Sequence, residues 1–87
     1  MAKYKILIRR SAADELDRIP KKDLRRIVTR IRSLEDEPRP RGCERVSVQE
    51  RYRLRQGDYR VLYSIDDSIR TVEVVKIGHR GEVYRGQ

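Results

Sequence analysis

Apolar positions in this chain follow two rhythms. Leu24, Ile27, Val28, Ile31 and Leu34 recur at i, i+3, i+4, i+7, the stripe of an amphipathic helix. From Tyr52 the period changes to two. Tyr52 and Leu54 alternate with Arg53 and Arg55; Tyr59, Val61, Tyr63 and Ile65 alternate with Arg60, Leu62 and Ser64. The first rhythm predicts a helix from about Pro20 to Leu34 or Glu35. The second predicts strands over Arg45–Arg55, Tyr59–Ile65 and Arg70–Ile77, all rich in Val, Ile and Tyr.

The remaining elements follow from local chemistry. Lys3 to Arg9, centred on Ile6-Leu7-Ile8, reads as a further strand. Ser11 is placed as a helix N-cap, with Asp14 and Glu15 in the first turn, and that helix ends near Arg18. Ile19-Pro20 interrupts it, and proline suits the first position of the next helix. Asp36–Gly42, with two prolines and a glycine, reads as a loop, and Asp66-Asp67-Ser68 as a hairpin turn. The expected plan is α+β, in the order β-α-α-β-β-β. Two N-terminal helices pack on one face of a small, mainly antiparallel four-stranded sheet, in a single domain over residues 1–87. Tyr59, Val61, Tyr63 and Ile65 are expected to face the helices, leaving the face of Arg60, Leu62 and Ser64 open.

Gly57 marks the turn between the two arginine-bearing strands. A two-residue turn pairs Arg55 with Asp58 and Arg53 with Arg60. A four-residue turn pairs Arg55 directly with Arg60. In both registers Arg53, Arg55 and Arg60 share a face, and two of them lie opposite each other; a three-residue turn would break this parity. Like charges directly opposite destabilise a sheet. An anion offsets them, and phosphate suits the guanidinium fork; the competing reading is a solvated face in an arginine-rich protein.

Charge supports the anion. The 87 residues carry 22 Lys and Arg against 14 Asp and Glu, a net charge of +8. Each half of the chain has the same excess, so the basicity belongs to the folded body and points to nucleic acid or an acidic protein. Cys43 is the single cysteine, which excludes an intrachain disulfide and a cysteine metal cluster. His79 is the single histidine, at a strand end, and Tyr84 follows close to the C-terminus. Ile6-Leu7-Ile8 is too short for a signal peptide or a membrane span, so a cytoplasmic protein is expected.

Three segments together resemble the RelE toxins of the RelE/ParE type II toxin–antitoxin superfamily: Tyr-Arg-Leu-Arg at 52–55, Gly-Asp-Tyr-Arg-Val-Leu-Tyr at 57–63, and Val-Val-Lys-Ile-Gly-His-Arg-Gly-Glu-Val-Tyr-Arg at 74–85. The resemblance implies a toxin that enters the ribosomal A site and cuts mRNA there without a metal or other cofactor. A ribose 2′-OH attacks the adjacent phosphate and leaves a 2′,3′-cyclic phosphate. It also implies a cognate antitoxin, contacts with ribosomal RNA and mRNA, operator DNA bound only through the antitoxin complex, and no membrane. Carried over residue by residue, Arg53 and Arg55 are the two basic positions of the hairpin strand, Arg60 braces the phosphate, Arg80 is an acid or charge stabiliser, and Tyr84 stacks on a base or orients the nucleotide. Relatives often have lysines on the hairpin strand, one of them proposed as general base. Arginine stays protonated, so Arg55 is a poor base, which leaves three options: His79 transfers the proton, the ribosome supplies a group, or this copy is slow. The spacing from Arg80 to Tyr84 is shorter than in some relatives. Two alternatives remain: a ParE-like toxin that binds DNA gyrase and has no nuclease site, and a non-enzymatic basic RNA-binding module.

Overall fold

The structure, a computed structural model, describes residues 3–46 and 51–79. In chain order the elements are β1 (Lys5–Ile8), α1 (Arg10–Leu16), α2 (Lys21–Ser33), β2 (Glu44–Arg45), β3 (Arg51–Gln56), β4 (Tyr59–Asp66) and β5 (Thr71–His79). The strands form one mixed sheet in the order β1-β5-β4-β3-β2. β1 lies parallel to β5, and the other pairs are antiparallel. The α+β plan stands, but the described residues form five strands rather than four. The expected strand over Arg45–Arg55 is two: the chain reverses between Val46, whose N–H donates to the Arg51 carbonyl at 2.9 Å, and β3.

The helix stripe packs as its spacing dictates. Ile27, Ile31 and Leu34 are buried with Ala12 of α1 against Leu54, Val61, Tyr63, Ile65, Val72, Val74 and Ile77 from one sheet face. Each such aliphatic side chain contributes about 1.5–3 kcal/mol when fully buried.

Three local expectations are corrected. Ser11 is not the N-cap; Arg9 is, in extended conformation, and its carbonyl accepts the Ala13 N–H at 2.9 Å. The Arg9 N–H is still bonded to Val74 on β5, so the chain passes from strand to helix with no residue between for a serine cap. Pro20 stands one position before its expected place, as the N-cap of α2, with its carbonyl accepting from Leu24 at 2.8 Å. Leu62 was placed on the open face, yet it is only 1% exposed. It lies in register between Arg53 and Lys76, both themselves largely covered and ion-paired, so this row of the outer face is not an open surface.

The β4–β5 turn runs on to Arg70, because Asp66 Oδ1 accepts the Ser68 N–H at 3.0 Å and the Ile69 N–H at 3.4 Å. β5 itself extends two residues past Ile77. A bulge at Leu62/Tyr63 leaves Val75 as the extra residue of β5. No helix among the described residues is long and apolar enough to cross a membrane.

Candidate functional site

Gln56 pairs with Tyr59 and closes the hairpin on Gly57-Asp58, with Gly57 at φ +59°. That register sets Arg55 directly opposite Arg60, the outcome expected of the longer turn. Across the outer face of the sheet, one row reads Glu44, Arg53, Leu62, Lys76, and the next reads Arg55, Arg60, Gly78. Arg53, Arg55 and Arg60 are therefore brought onto one face at the hairpin end, and Gly78 leaves the place beside Arg60 without a side chain.

These arginines are held differently. Arg53 is half-buried, and its Nη2 pairs with Glu44 Oε2 at 2.9 Å. Arg60 folds back over its own hairpin, with Nη1 donating to the Tyr59 carbonyl at 3.2 Å and the Gly57 carbonyl at 3.4 Å. Arg55 is exposed. Among the described residues neither Arg55 nor Arg60 has a carboxylate partner. Two arginines opposite each other in the ladder, with no carboxylate beside them among the described residues, suit an anion, and phosphate fits the guanidinium fork with paired hydrogen bonds.

His79 is not brought to this face. Its register partner is Tyr59, whose ring it meets edge-on at 5.4 Å. Tyr59 packs on the core side of the sheet, so His79 lies on the helix side, opposite the arginines. The positions predicted at Arg80 and Tyr84 lie outside the described residues.

Sequence reasoning passed over Glu44, which falls between the loop expected to end at Gly42 and the strand expected from Arg45; the β2–β3 pairing sets it beside Arg53. It also passed over Arg39, at the far end of β4. Arg39 donates to both Asp67 carboxylate oxygens, at 2.9 and 3.2 Å, and to the Tyr52 hydroxyl at 3.1 Å, and it lies over the Tyr52 ring. Tyr4 adds a 2.6 Å hydrogen bond to Asp67. The bonds from Arg39, then Tyr4, hold the Asp67 carboxyl below its ordinary range. Tyr52 stacks on the buried Tyr63, whose hydroxyl donates to the Pro38 carbonyl at 2.8 Å, and burial pushes the Tyr63 phenol well above its usual pKa.

Residues 6–84 match the family described as the ParE toxin of the type II toxin–antitoxin system parDE. The toxin RelE of Mycobacterium tuberculosis is 34% identical over 84 residues, covering 94% of this chain and 87% of that one. Among solved structures, the toxin–antitoxin complex RelBE2 of M. tuberculosis superposes with a TM-score of 0.79 at 28% identity, covering 90% of this chain and 99% of that one. The archaeal RelE–RelB complex of Pyrococcus horikoshii OT3 gives 0.78 at 30% identity, covering 91% and 97%. The chain belongs to this family of type II toxins, and within the RelE/ParE superfamily it is of the RelE type.

Proposed function

We propose that this toxin acts as a ribosome-dependent mRNA endonuclease. The observation that carries the reading is the unneutralised Arg55–Arg60 pair on the open face of the hairpin. In the proposed reaction the ribose 2′-oxygen bonds to the adjacent phosphorus, the P–O5′ bond breaks, and the products are a 2′,3′-cyclic phosphate and a 5′-hydroxyl. Arg55 and Arg60 bind the scissile phosphate and take up the charge that grows on it in the phosphorane. One such donor is worth about 10²–10³-fold in rate.

The reaction needs an acceptor for the 2′-OH proton, which arginine cannot be. Glu44 is a carboxylate on the arginine face, held there by Arg53, and it takes that role in this reading. His79 faces the other way. Arg80 stabilises the leaving 5′-oxygen and Tyr84 stacks on a base, as the resemblance implies. RelE in the RelE–RelB complexes is bound by its antitoxin; for this chain we propose a cognate antitoxin whose carboxylates cover the hairpin cations.

A second reading, a toxin that binds gyrase and cuts nothing, is favoured by the parDE description of the matching family. Mapping 5′ ends of a translated mRNA after induction, beside the same mRNA lacking its start codon, tests the first reading. Cuts within codons that disappear with the start codon are expected. Growth arrest without cuts, together with inhibition of purified gyrase, would replace it with the second.

A further inference from the structure

β1 covers the edge of β5 only as far as Val74, its last register partner. Beyond that point β5 runs on through His79 with β4 on one side and, among the described residues, no strand on the other. α1 packs along this stretch, and there Glu15 takes the place of a strand. Its Oε1 accepts the backbone N–H of Ile77 at 2.9 Å, and its Oε2 pairs with Lys76 Nζ at 3.2 Å. The carboxylate is three-quarters buried and Ile77 is 1% exposed. Charge-assisted bonds of this kind are the strong ones, and without Glu15 the Ile77 N–H would stand buried and unsatisfied.

The residue so fixed is functionally placed. Ile77 immediately precedes Gly78, the residue opposite Arg60. We propose that Glu15 is a positioning residue of the nuclease site: it pins the end of β5, and with it Gly78, so that the space beside Arg60 stays open. This role rests on the nuclease reading. Glu15 touches no reacting atom in it.

The test compares Glu15→Ala, Glu15→Gln and Lys76→Met in the full chain, made by chemical synthesis and refolding, because an active toxin would cut the mRNA from which it is translated. Two readouts are taken: cleavage of ribosome-bound mRNA, and hydrogen exchange at the Ile77 amide. Glu15→Ala is expected to speed Ile77 exchange and to lower kcat about tenfold or more with little change in KM, as for a misplaced catalytic group. Glu15→Gln keeps an oxygen for the Ile77 N–H and should restore kcat to within about threefold, since one neutral bond replaces a charged one. Lys76→Met leaves that bond in place and should resemble the parent chain. Fast Ile77 exchange with undiminished cleavage in Glu15→Ala would overturn the inference, as would a Glu15→Gln chain as slow as Glu15→Ala. A parent chain that cuts no mRNA while its Ile77 amide stays protected would sink the nuclease reading itself, and the positioning role with it.

Discussion

Arg39 and Arg60 sit at opposite ends of β4 and are held in opposite ways. Arg39 spends its donors on Asp67 and Tyr52, and its charge is matched by a carboxylate that Tyr4 also holds. Among the described residues Arg60 has two long bonds to hairpin carbonyls, and its register partner is another arginine. The first arrangement ties together β1, the loop after α2, β3 and the β4–β5 turn. The second costs the fold electrostatic energy and leaves donors free for something outside it. In a chain this rich in arginine, the partners of each guanidinium separate a structural cation from a binding one better than its position in the sequence does.

Exchanging the two losses should give the sharpest contrast. Arg60→Ala is expected to cut mRNA cleavage by about 10²–10³-fold while leaving the melting temperature unchanged or slightly raised, because a like-charge pair is relieved. Arg39→Ala should do the reverse, with cleavage retained and Tm lowered by a few degrees, a modest effect because the Arg39–Asp67 pair is half-exposed and screened by solvent. Full toxicity of Arg60→Ala in cells would remove Arg60 from the site.

A smaller effect is expected from Glu44→Gln. Cleavage should slow about 10²-fold if Glu44 accepts the proton, the usual scale of a general base. Binding of an RNA with 2′-deoxyribose at the cut position should not weaken, since the substitution removes a negative charge beside Arg53. Weakened binding in that assay would make Glu44 a strut for Arg53 and nothing more.

The smallest effect is on pH dependence. Asp67 holds its proton less tightly folded than unfolded, because the carboxylate form is bonded to Arg39 and Tyr4. Its stabilisation is whole above the ordinary carboxylate pKa of about 4 and is lost as pH falls through the lower folded value. Thermal melts from roughly pH 5 to pH 2 should therefore show a shallower acid limb in Asp67→Asn, with Asp66, lowered by Ser68, supplying what remains. An unaltered limb would show that the Arg39 end owes its stability to packing on Tyr52 instead.

Periodicity carried most of the architecture. Leu24 through Leu34 fixed one face of α2, and alternation through Tyr52–Arg55 and Tyr59–Ile65 put three arginines on one face before any register was known. Neighbours distant in sequence were illegible. The pairing of Lys5 with Thr71 across a parallel ladder leaves no local mark, nor does the contact of Glu44 with Arg53 across a reversal between Val46 and Arg51. Ser11 failed as a cap because Val74, far along the chain, already held Arg9. Leu62 read as outward by parity, and its row is indeed that of Arg53, yet it is buried, because a face assignment does not describe how far that face is covered. His79 was considered for proton transfer on chemistry alone. Its side of the sheet follows from the register with Tyr59, which an irregular strand crossing from β4 to β5 concealed.

The parallel pairing of β1 with β5 also sets an order of assembly. Contacts between segments so far apart in sequence close late, since the loop between them must be closed before they contribute. The β3–β4 hairpin is local and can form early. A folding chain can thus make its arginine face before it completes its sheet. Until Thr71 to Val74 has docked, β1 has no partner, and until Ile77 is in place the Glu15 clamp has nothing to hold. In that order of assembly the charge is displayed while the scaffold is unfinished, and a neutralising protein present then would meet the toxin before it is competent.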